Sequence, residues 1–171
     1  MTDRAFGPAD LQAFMQARDI PGEILYLDTP TPTVESAALA VGVLPDQIVK
    51  SILFLVDGKP VLAIACGPDR VETRALAARY AVGRKRVKLA DAETVLELTG
   101  FQVGAMPPFG HRVPLPTLVD QRVLDRPEVY AGGGSDQSLL RLSPLAILQI
   151  TRAEVLDLLS TPAQSLQSAA G

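Results

Sequence analysis

Apolar positions recur along this chain at two periods, and the switches between them mark out the elements. Leu11, Phe14 and Met15 form a stripe at helical spacing behind Gly7-Pro8, a favoured helix start. Ile20-Pro21-Gly22 ends that helix, and Ile24 to Leu27 reads as a short strand. Thr33 is placed to cap a second helix, whose Val34, Ala37, Ala38 and Val41 face the core before Gly42 closes it. The runs Ile48 to Val56 and Val61 to Cys66 are then apolar at nearly every position, around the hairpin signal Asp57-Gly58. Such runs predict strands covered on both faces. Gly67-Pro68-Asp69 turns the chain into a helix ending near Tyr80. Val87 to Leu89 is a further strand, and Asp91 caps a helix that stops at Gly100. Leu118-Val119, Val129-Tyr130 and Leu139 to Leu142 supply the remaining strands, and Ser143-Pro144 opens a last helix.

Between Gly100 and Pro116 both periods vanish. The stretch is too apolar for a loose linker and too irregular for a helix or strand, which marks a loop with a task. The reading is one compact α/β (mixed α+β) domain over residues 1–160, with helices around a curved, mixed, barrel-like sheet. Residues 161–171 are mostly Ser, Ala and Gln, and are expected to form a disordered tail.

The 47% hydrophobic and 20% charged fractions are those of an ordinary globular chain. No apolar run approaches the roughly 18 residues that span a bilayer, and no basic, apolar leader is visible at the N-terminus. Cys66 is the one cysteine, so no internal disulfide can form. These features predict a cytoplasmic protein with no membrane contact. A net charge of −3 argues against coating nucleic acid by bulk electrostatics. The charge is uneven, however. From Arg70 to Lys88, seven bases (Arg70, Arg74, Arg79, Arg84, Lys85, Arg86 and Lys88) face the single acid Glu72. That block is either a phosphate-binding surface or a solvated helix face with a basic loop.

Elimination narrows the chemistry. His111 is the only histidine, and no HExxH or carboxylate cluster is present, so no metal site is expected. Cys66 ends an apolar strand and reads as a buried thiol. Ser135 could pair with His111, but it follows three glycines without a nucleophile elbow. Phosphate-loop and dinucleotide motifs are absent. What remains is a site of backbone donors, glycine loops and a few polar side chains, with no cofactor.

The segment Thr99 to His111, reading TGFQVGAMPPFGH, resembles the signature loop of the YbaK/prolyl-tRNA-synthetase-associated editing domains. Leu115 to Asp120 is similar to the strand of that family that ends in an aspartate. Val129 to Ser135, followed by a strand and Ser143-Pro144, resembles its glycine segment. Ile48 to Phe54 resembles the strand that carries its lysine. The similarity covers about residues 8 to 158, with four motifs in the family's order.

The resemblance implies a mixed-sheet domain that hydrolyses the ester between an amino acid and the 3′ adenosine of tRNA. It implies no metal, and a substrate ribose hydroxyl that assists the attacking water. Lys50 would contact the terminal nucleotide, with a snorkelling strand-end lysine as the plain alternative. Gly104 and Pro108 would frame the loop whose N–H groups meet the substrate carbonyl, and Asp120 would either hold the site's hydrogen bonds or merely end its strand. Ser51, Ala105, Met106, Phe109, Gly110, His111, Gly132, Gly133, Gly134 and Ser135 would line the substrate pocket, and Arg84, Lys85 and Arg86 would meet tRNA. The expected partners are aminoacyl-tRNA and an aminoacyl-tRNA synthetase. Alanine-selective members usually carry Asn after the lysine, where this chain has Ser51, so the resemblance does not name the amino acid. The loop is apolar and stiffened by two prolines, which suits a small, uncharged side chain. The rival readings are a non-catalytic tRNA- or synthetase-binding module of the same fold and a serine esterase using Ser135.

Overall fold

The computed structural model describes residues 4–159; the tail expected at 161–171 lies outside the described residues. Five α-helices occupy the stretches of helical period: α1 (Pro8–Ala17), α2 (Val34–Val41), α3 (Thr73–Tyr80), α4 (Ala92–Thr99) and α5 (Pro144–Thr151). The strands are β1 (Glu23–Tyr26), β2 (Val49–Val56), β3 (Lys59–Cys66), β4 (Val87–Leu89), β5 (Thr117–Asp120), β6 (Val129–Gly132), β7 (Ser138–Leu142) and β8 (Glu154–Leu156). The punctuation read from sequence governs the ends. Thr33 Oγ1 accepts from the N–H of Ser36 at 3.0 Å, and Asp91 Oδ1 from that of Thr94 at 2.8 Å. Gly42 and Gly100 close their helices in the left-handed region. Asp57 and Gly58 both take positive φ, 50° and 80°, as the tight hairpin demands.

Instead of one barrel-like sheet, there are two. A three-stranded antiparallel sheet runs in the order β1-β7-β6, and a five-stranded mixed sheet in the order β4-β2-β3-β5-β8. They touch through one parallel bridge, Ile48 with Tyr130. The reason lies along one edge of β2. There β4 pairs with Phe54, Leu55 and Val56, while β6 reaches Ile48 alone. Among the described residues, Lys50 to Ile52 therefore has no ladder partner on that edge.

The apolar runs are covered on both faces, as their composition predicts. Leu53 and Leu62 enter the largest core cluster with Leu11, Phe101, Val119 and Ile147. Phe54 and Ala63, one residue on, enter a second cluster with Leu76, Leu118 and Leu158. Two features differ from the periodicity. The helix α3 starts at Thr73 rather than straight after Asp69. After α5, capped by Arg152 at φ 53°, the chain forms β8 alongside β5. Glu154-Val155-Leu156 is too short and too exposed to announce a strand; its parallel pairing with β5 makes it one.

Candidate functional site

Strand alternation divides Lys50 from Ser51. Lys50 shares a face with Phe54 and Val56, towards α3, and its Nζ donates to the Asp69 carbonyl just before that helix. Burial pushes its ammonium below the ordinary lysine value, against the opposing pull of Asp69, Cys66 and Glu35. Ser51 turns to the opposite face, with Val49 and Leu53 of the largest cluster, and its Oγ is buried without a hydrogen-bond partner among the described residues. The open edge between them exposes main-chain donors and acceptors that a ligand could pair.

Carrying the Ile48–Tyr130 register two residues further along both strands brings Gly132 to the level of Lys50. Gly132 is a site of close approach. A Cβ there would lie 2.4 Å from the Met106 carbonyl oxygen, so nothing larger than glycine fits without moving the loop. Gly134, at φ 101°, donates its N–H to the Ala105 carbonyl at 2.9 Å and abuts Gly7 and Pro8 at the start of α1. The signature loop and the glycine segment, nearly thirty residues apart in sequence, are thus one packed unit. Ala105 N–H donates to Gln102 O at 3.1 Å. Among the described residues, the N–H groups of Gly104 and Met106 donate to no protein acceptor.

The rest of the loop faces elsewhere. Pro107 and Pro108 are buried, and Phe109 enters the main core, stacked on Phe14 at 5.8 Å between centroids. Gly110 packs against Phe14 and Leu11. His111 Nε2 donates to Pro107 O at 2.8 Å and its ring meets Phe101 edge-on; burial holds its pKa below the usual value. Since a carbonyl can only accept, that nitrogen carries the proton, and the bond clips the loop. Ser135 Oγ is 2.8 Å from Ser138 Oγ and supports a turn, so no Ser135–His111 hydrogen bond forms among the described residues.

Asp120 is fully buried at the end of β5. Its Oδ1 accepts from Arg122 N at 2.9 Å and its Oδ2 from Leu158 N at 2.7 Å, with the Arg122 guanidinium bridging to Asp157. These contacts fix the chain after β5 to the segment after β8. Burial pushes the Cys66 thiol up to about 11, leaving it protonated at neutral pH. Arg84, Lys85 and Arg86 form one exposed turn ahead of β4. Arg86 is paired with Asp57 at 2.6 Å, whereas Arg84 and Lys85 make no ion pair among the described residues. Among those residues no group of three or more His, Cys, Asp or Glu side chains is placed to hold a metal ion. No helix there is long and apolar enough to cross a membrane.

The structure thus packs Ala105 and Met106 against Gly132 and Gly134, with the Lys50 main chain level with Gly132. The Lys50 side chain turns to Asp69, the Ser51 hydroxyl is buried on the other face, Gly133 packs on β7 and Gly104 is exposed on the loop. The fold sets Phe109, Gly110 and His111 behind that contact, and the basic turn at the far end of β2. Residues 28–150 match the family model described as an aminoacyl-tRNA editing domain. The chain belongs to that family. It is 34% identical over 109 residues to a proline–tRNA ligase of Maridesulfovibrio salexigens, covering 64% of this chain and 18% of the ligase. The chain therefore spans under a fifth of that enzyme's length. It is 29% identical over 134 residues to the uncharacterized protein YwhH of Bacillus subtilis, covering 78% of this chain and 83% of that one. A solved structure of a candidate trans-editing enzyme for prolyl tRNA synthetase superposes with a TM-score of 0.83 at 34% identity, over 90% of this chain and 97% of that one. The match confirms the mixed α/β editing-domain fold.

Proposed function

We propose that this chain is a trans-acting aminoacyl-tRNA deacylase. It removes a small, uncharged amino acid mischarged on tRNA, with tRNA for proline as a candidate carrier. The observation that carries this reading is the convergence at the β2–β6 seam. There an open strand edge bearing Lys50 lies level with Gly132, which touches a loop with two unspent N–H donors.

In this reading the terminal adenosine lies along the open edge, and Lys50 holds a phosphate as a point charge. The N–H groups of Gly104 and Met106 point at the ester carbonyl, where charge develops as water adds. The His111, Cys66 and Asp120 side chains are not ready general bases: His111 is tied to Pro107, the Cys66 thiol is protonated and Asp120 is engaged by Arg122 and Leu158. The free ribose hydroxyl of the substrate takes that role. It orients the water, whose oxygen bonds to the carbonyl carbon. The carbon–O3′ bond breaks, and the ribose 3′ oxygen takes up the proton. The products are the free amino acid and tRNA, and the scheme needs neither metal nor cofactor. Ala105 and Met106, both buried, give the loop an apolar wall that suits a small side chain.

The mechanism is tested with a substrate whose terminal ribose lacks the free 2′-hydroxyl. Its hydrolysis should be roughly a hundredfold slower or worse, the usual worth of a general base. An unchanged rate would place the base on the protein and overturn the substrate-assisted scheme.

A further inference from the structure

On the far side of the signature loop, α1, residues 108–115 and the end of α5 enclose a groove of about 530 Å³. Arg18, Arg112 and Arg152 line it and, among the described residues, no Asp or Glu does, in a chain whose net charge is −3. Asp19 and Glu154 lie close by in sequence, but neither lines the groove, and Glu154 is held by Arg79. The Arg18 guanidinium carbon lies over the Phe14 ring, 3.8 Å from its centroid. Phe14 is itself stacked on Phe109, so the cation rests on a fixed aromatic platform. Arg152, in its left-handed cap, makes no ion pair among the described residues.

We infer that this groove is a second RNA contact, which takes the tRNA strand behind the nucleotide held at Lys50. The inference rests on the proposed function for the identity of the RNA. An arginine on an aromatic support, a second exposed arginine and polar groups such as Gln149 and Thr151 beside them match what unpaired nucleotides offer: phosphates for charge and base faces for stacking. Thr117 lines the groove and pairs with Leu62. Leu62 is three residues along β3 from Ala65, the partner of Lys50. That is about 10 Å along the strands, with two strand spacings, about 10 Å more, across them from β2 to β5; Thr117 lies on the Leu62 face of the sheet and Lys50 on the Ala65 face.

The test is binding of uncharged tRNA by the wild-type chain and by Arg18→Gln/Arg152→Gln, across a salt series. These exposed side chains are outside the proposed hydrolytic site, so turnover of a minimal aminoacyl-adenosine should match wild type. Affinity for tRNA should fall roughly tenfold, and the slope of log K against log salt should flatten by roughly 1.4 to 1.8, the loss of two phosphate contacts. Unchanged affinity and slope would overturn the inference. So would loss of synthetase binding with tRNA binding intact, which would make the groove a protein-docking face. Because uncharged tRNA is the probe, the groove can pass even if no aminoacyl-tRNA is hydrolysed, and that result would fail the deacylase reading alone.

Discussion

The two ends of β2 are built from one apolar run and do opposite things. At the Val56 end the ladder is complete: β3 and β4 flank the strand, a tight turn closes it, and the neighbouring Arg84, Lys85 and Arg86 stand in solvent. At the Lys50 end, six residues and about 20 Å away, one edge is open and a half-buried lysine faces a main-chain carbonyl. Charge at the first end is screened within about 10 Å at 0.1 M salt. At the second it is half buried against the Asp69 carbonyl, on a strand whose main chain is level with a glycine that admits no side chain. The contrast teaches that main-chain groups are left open where the regular pairing stops, which is where the proposed function puts the chemistry, while the complete end offers only solvated charge.

The largest expected effect falls on the frame behind the reactive end. Asp120→Asn should destabilise the fold by about 3 kcal/mol, because it strips the charge from a buried pair and weakens the bond to Leu158 N. Denaturant midpoints measure this. A normal midpoint with collapsed turnover would make Asp120 catalytic rather than positioning. Lys50→Ala comes next, losing about 1.5–3 kcal/mol of transition-state stabilisation, or tenfold to over a hundredfold in rate, on full tRNA and minimal substrate alike. Wild-type rates would reduce Lys50 to a snorkelling strand-end residue. Gly132→Ala should cost about 1–3 kcal/mol through the clash with Met106 O, lowering turnover more than tRNA affinity. Unaffected turnover would show that the loop's position at the seam does not matter. Smallest is the solvated end. Neutralising Arg84, Lys85 and Arg86 should weaken tRNA binding by under tenfold, flattening its salt slope by roughly 1.8 for the two unpaired cations. Minimal-substrate rates should not move. An unchanged slope would leave this turn a plain solvated surface.

Most of this comparison was legible in the residues, but not all. The hairpin, the helix caps and the doubly covered strands follow from local patterns, because turn and cap chemistry acts over a few residues. The stretch from Gly100 to Pro116 announced itself by losing both periods. The split into two sheets did not, because it depends on β4 and β6 stopping short of each other along β2. Nor did the opposite facing of Lys50 and Ser51 enter the reading of the site, although strand alternation requires it. The loop's division has the same origin: Ala105 and Met106 meet Gly132, whereas Phe109 and His111 turn to α1 and Phe101, and only packing separates them. The arginine-lined groove was not legible because Arg18, Arg112 and Arg152 are scattered through the chain.

The central claim is tested most directly by following deacylation of a panel of mischarged tRNAs in the presence of a chelator. The panel spans alanine, serine, threonine, cysteine and 2-aminobutyrate, with a large and a charged amino acid for contrast. The account predicts chelator-resistant hydrolysis of several of the small esters, because an apolar wall separates neighbours differing by one methylene by only about 1–3 kcal/mol. No hydrolysis of any ester would contradict it, as would activity confined to the large or charged amino acid, or activity that disappears with the chelator and returns with added metal.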